Sequence, residues 1–85
     1  MRLTYRYSNH GRRRARGRSI TREEIDQALN NPEWTEPGNA PDRMMYVSHP
    51  MEDGYRIVVI ATHPPNYMGQ VTLVTCFAKS SKAPR

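Results

Sequence analysis

The chain has one cysteine, one tryptophan and one phenylalanine among its 85 residues, and no acidic residue before position 23. With Cys76 alone no internal disulfide can form, and a reducing, cytoplasmic setting fits. The Cys/His spacings of a zinc site are missing as well, so neither a metal nor another cofactor is expected. No apolar run approaches the roughly 20 residues of a membrane span. The opening MRLTYRYSNH lacks the apolar stretch of a signal peptide, and no membrane partner is expected. Hydrophobic residues make up 36% of the sequence, enough for one small core. A single domain over residues 1–78 is expected, followed by a flexible basic tail over 79–85 (KSSKAPR).

Charge is present in blocks. Residues 1–22 hold eight arginines and no acid, residues 23–53 hold all eight acids with only Arg43, and residues 54–85 hold Arg56, Lys79, Lys82 and Arg85. A net charge of +5 divided this way fits a surface that faces a polyanion. The competing reading is a solvated basic arm.

The densest part is YSNHGRRRARGRSI, residues 7–20. His10, Arg14 and Arg18 follow at intervals of four, which on a helix puts an imidazole and two guanidiniums on one face. Imidazole moves protons near neutral pH, and guanidinium grips phosphate oxygens with a fork of donors. Gly11 and Ala15 form a small-residue stripe beside them, so this helix, capped at Ser8 or Asn9, can lie tight on a core. Gly17 is the expected stop. A second helix begins at a capping box, Thr21 to Glu24, with Ile20 and Ile25 in hydrophobic-staple positions, and ends at Asn30-Asn31-Pro32.

The remainder reads as strands: a short edge strand at Leu3–Tyr7, one beginning near Trp34, then Arg43–His49, Tyr55–Thr62 and Gln70–Phe77. The expected fold is α+β, two N-terminal helices packed on a three- to four-stranded antiparallel sheet. Trp34 is expected to close the core beside the second helix, Cys76 to be a small buried hydrophobe, and His49 and His63 to face solvent.

This pattern resembles the bacterial domain-of-unknown-function family 4258. The residues that carry the resemblance are His10, Arg14, Arg18, Ile20-Thr21, Glu24-Ile25, Leu29 and Asn31-Pro32, then Tyr46-Val47, Arg56-Ile57-Val58-Val59, Val74-Thr75 and Phe77. One departure stands out: the family usually has Arg-Gly before the hydrophobic residue, whereas this chain has Arg18-Ser19. The family is similar to RelE/ParE-type toxins and the barnase–EndoU–colicin–RelE ribonuclease fold. The resemblance therefore implies a toxin-like, metal-independent endoribonuclease. Its partners would be RNA and an acidic antitoxin or immunity protein. A non-catalytic module for RNA, DNA or a protein partner on the same fold is the alternative.

Cleavage through 2′-OH attack needs a base, an acid and fixed positive charge around the phosphorane. His10 can serve as base or acid. Arg14 and Arg18 can hold the phosphate, with Arg56 and Thr75 joining from the sheet. The competing reading pairs Arg14 and Arg18 with Glu23, Glu24 or Asp26, and Arg56 with Asp42 or Glu52. Arg12, Arg13, Arg16 and Lys79 are candidates for nucleic-acid backbone contacts, and Tyr46 for stacking on an unpaired base.

Overall fold

The structure is a computed structural model, and it describes residues 2–80. Seven elements follow in order: β1 (Thr4–Tyr7), α1 (Asn9–Gly17), α2 (Arg22–Asn30), β2 (Pro32–Pro37), β3 (Arg43–Ser48), β4 (Tyr55–Thr62) and β5 (Gln70–Ser80). The class is α+β, as expected. The sheet is larger and mixed: five strands in the order β1-β5-β4-β3-β2. β2 to β5 form an antiparallel meander, while β1 runs parallel to β5 with Thr4 opposite Gln70 and Tyr7 opposite Leu73. That last pairing joins the two ends of the domain, so no local alternation announces it. No described helix is long and apolar enough to cross a membrane.

The turn between α1 and α2 is fixed by local chemistry. Ser8 caps α1, its hydroxyl accepting from the Gly11 N–H at 2.9 Å. At the other end Ile20 N–H donates to Ala15 O at 2.9 Å and Ser19 N–H to Arg16 O at 3.3 Å. This is the paired closure of a Schellman motif, with Ile20 and Ala15 in contact with the core behind it. The helix ends at Gly17, as expected, but the residue that closes it in the left-handed conformation is Ser19 (φ 55) and not a glycine. Thr21 then caps α2 in a complete capping box with Glu24. Ile20 thus serves two helices: it closes α1 and, with Ile25, staples the start of α2.

Both helices lie on one face of the sheet, α1 against β5 and β1, α2 against β2, β3 and β4. The core between the layers is built from Ala15, Ile20, Ile25, Ala28 and Leu29 above and Tyr46, Ile57, Val59, Ala61, Val71, Leu73 and Cys76 below. A bulge in β5 leaves Val74 without a partner opposite β4, so that Leu73 pairs with Ala61 and Thr75 with Ile60. Since side chains alternate along a strand, Arg56, Val58, Ile60 and their partners Lys79, Phe77 and Thr75 face away from the helices.

Several expectations change here. Trp34 does not close the core; paired with Val47 on the helix-free face, it remains 41% exposed. Lys79 and Ser80 belong to β5, opposite Arg56 and Tyr55, so the expected tail is strand at its first two residues. Residues 81–85 of that tail lie outside the described residues. Cys76 is buried as expected, and burial pushes its thiol above the usual range, an effect that Arg18 partly opposes.

Candidate nucleic-acid interface

Gly11 sets the height of α1. A Cβ there would stand 2.5 Å from the Leu73 carbonyl oxygen and 2.6 Å from Leu73 Cδ2, so only hydrogen fits. With Gly11 and Ala15 facing inward, every arginine from Arg12 to Arg18 is exposed. Residues 100° apart around the axis then divide into two flanks with Arg13 between them.

On the first flank Arg14 Nε–H donates to His10 Nε2 at 3.3 Å. His10, Arg13 and Arg14 line an open depression of about 300 Å³. The bond marks Nε2 as the lone-pair nitrogen, so the ring is a proton acceptor in this arrangement. Neither Arg14 nor Arg18 is paired with an acid among the described residues. Asp26 is engaged by Arg2, and Glu24 by Thr21 in the capping box. The guanidiniums of Arg13 and Arg14, which line the depression with His10, are thus open to an anion.

The remaining residues expected at the site are not gathered there. Arg18 is the C-cap of α1, and spacing by four turns it about 80° from His10 around the axis. Arg56 is on the opposite face of the sheet. Its guanidinium pairs with Glu33, donates to Ser48 O at 3.1 Å and lies 4.9 Å over the Trp34 ring. Neither Asp42 nor Glu52 is its partner; the bend into β2 brings Glu33 alongside instead. Thr75 also points to that face, away from α1. Lys79 lines an apolar groove there with Trp34, Val58 and Phe77. Tyr46 is 6% exposed and packed in the core, where burial raises its hydroxyl's pKa, so it offers no face to a base.

The second flank was not foreseen as a unit. Arg12 and Arg16 come together with Arg22, the first residue of α2, around a pocket of about 300 Å³ walled by Tyr7, Ala15 and Ile20. The guanidiniums of Arg12 and Arg22 stand 5.8 and 5.6 Å from the Tyr7 ring centroid, within cation–π range. Only the tight turn through Ser19 and Ile20 brings Arg22 back beside Tyr7, and periodicity within one helix carries no trace of that.

Residues 7–77 match the family model described as Domain of unknown function (DUF4258). Neither a curated protein nor a solved structure matches the chain.

Proposed function

The chain belongs to the DUF4258 family, and from that starting point we propose that it binds RNA through α1 and cleaves it, without a metal, at the His10 flank. The observation that carries this reading is the exposed His10–Arg14 contact, beside Arg13, with no carboxylate competing for either arginine among the described residues. An RNA phosphate entering the depression would take the Arg14 donor onto a non-bridging oxygen. That exchange frees the lone pair on His10 Nε2. The 2′-OH then gives its proton to Nε2 as its oxygen attacks phosphorus. The P–O5′ bond breaks, and the leaving 5′-oxygen takes a proton from the imidazolium or from water. Arg13 and Arg14 offset the charge that gathers on the phosphorane. The products are a 2′,3′-cyclic phosphate and a 5′-hydroxyl. Kinship with the RelE/ParE-type toxins, and an acidic antitoxin or immunity protein that covers the same flank, are part of this proposal.

A second reading has its own support. The depression is lined by one proton-carrying side chain and two arginines, while Thr75 and Arg56 face the other side of the sheet. A module that only binds RNA needs no more than this. Cleavage of RNA in EDTA decides between them. The catalytic reading expects His10→Ala to lose about 10²–10⁴-fold in rate, with binding retained; intact RNA under the wild-type protein would leave only the binding reading.

A further inference from the structure

The pocket on the second flank of α1 holds more positive charge than the structure neutralises. Arg12, Arg16 and Arg22 converge on it, and none has an ion pair with a carboxylate among the described residues. Two of the three guanidiniums lie within cation–π range of one tyrosine ring, so two positive charges border the same side chain. Arg22 also occupies the first position of α2, where the positive end of the helix dipole disfavours a cation. Glu24, one turn in, is held by Thr21. An anion with more than one charge would relieve all of these repulsions together.

The chemistry of the pocket selects among anions. A phosphodiester carries a single charge, whereas a terminal phosphomonoester carries nearly two near neutral pH and offers three strong acceptor oxygens. Three guanidinium forks match the second. A volume of about 300 Å³ is at the lower bound for small-molecule pockets and exceeds what a bare phosphate fills. The apolar wall of Tyr7, Ala15 and Ile20 suits an attached ribose and base. Arg13, facing outward between the flanks, offers a phosphate contact on the way around the helix from this pocket to His10. We propose that the Tyr7–Arg12–Arg16–Arg22 pocket seats the terminal phosphomonoester of an RNA strand. The inference rests on the RNA-binding reading above and adds to it a preference for a strand end.

The test is the affinity of the purified protein for one short 2′-O-methyl RNA, which lacks the attacking hydroxyl, prepared with a 5′-phosphate, with a 3′-phosphate, or with hydroxyls at both ends. Binding to one phosphorylated form should be about tenfold tighter than to the hydroxyl form, the effect of one charge-assisted hydrogen bond. Arg22→Gln, whose fold is checked by circular dichroism, should abolish that preference and leave affinity for the hydroxyl form unchanged. Equal binding of all three strands, or a preference that survives in Arg22→Gln, would overturn this inference alone. Failure of every strand to bind would overturn the RNA-binding reading and the inference with it. Inorganic phosphate that displaces the phosphorylated strand at equal concentration would overturn the assignment to a strand end.

Discussion

Gly11 and Ser19 decide where α1 lies and where it stops. At Gly11 a methyl group would meet the Leu73 backbone at 2.5 Å, so Gly11→Ala must lift the helix or shift β5. A loss of about 1–3 kcal/mol is expected in denaturant unfolding, and the His10 flank should move with the helix. At Ser19 the effect has the opposite sign. A non-glycine residue at φ 55 bears a steric cost that glycine does not. Ser19→Gly should therefore stabilise the protein by about 1 kcal/mol, read as an upward shift of the unfolding midpoint. The sequence announced the His10/Arg14 spacing, the Gly11/Ala15 stripe and the capping box, because each is set within one or two turns of chain. The end of α1 at Gly17 was legible too, but not the left-handed residue that closes it, since that is defined by hydrogen bonds across the turn and Ser19 carries no mark of it.

At the scale of elements, α1 and β4 carry arginines with different tasks. Those of α1 face solvent without acidic partners among the described residues, whereas Arg56 on β4 is tied to Glu33, the Ser48 carbonyl and the Trp34 ring. Arg56→Ala should lower stability by about 1 kcal/mol, from the lost ring contact and ion pair, and leave RNA cleavage unchanged. A loss of cleavage comparable with that of His10→Ala, in a folded variant, would instead return Arg56 to the site. The helices and the three long strands were legible because their periodicity is local. The face to which a strand residue points depends on register, and the bulge at Val74 is a property of the β4–β5 pair. That is why Thr75 and Arg56 were expected beside His10 and lie across the sheet from it. Trp34 was misplaced for the same reason: hydrophobicity alone assigns a residue to a core, not to one side of a sheet.

For the molecule as a whole, the arginines from Arg12 to Arg18 stand exposed on the helix layer, and the acids lie in α2, in the edge strand β2 and in the turns before β3 and β4. The buried acids of the core are neutral ones. Burial holds the Cys76 thiol and the Tyr46 and Tyr5 hydroxyls above their ordinary ranges. The folded protein therefore keeps protons that the unfolded chain releases as pH rises. The contribution is fully present below the unfolded thiol value of about 8.5 and is lost as pH climbs from there toward the folded value, with the tyrosines adding to the loss above about 10. Unfolding midpoints measured from pH 7 to 11 should fall from about 8.5 upward, and Cys76→Ala should delay the fall toward the tyrosine range.

The central claim is that His10 moves a proton on RNA held by the arginines of α1. It is tested most directly by incubating one RNA, in EDTA, with purified wild-type protein and with His10→Ala, and measuring both affinity and the chemistry of the new ends. The account predicts 2′,3′-cyclic phosphate and 5′-hydroxyl ends from the wild type, and from His10→Ala an affinity within about twofold but cleavage slowed at least 100-fold, as expected for loss of a general base. Equal cleavage by the two proteins, or none by either, would contradict it.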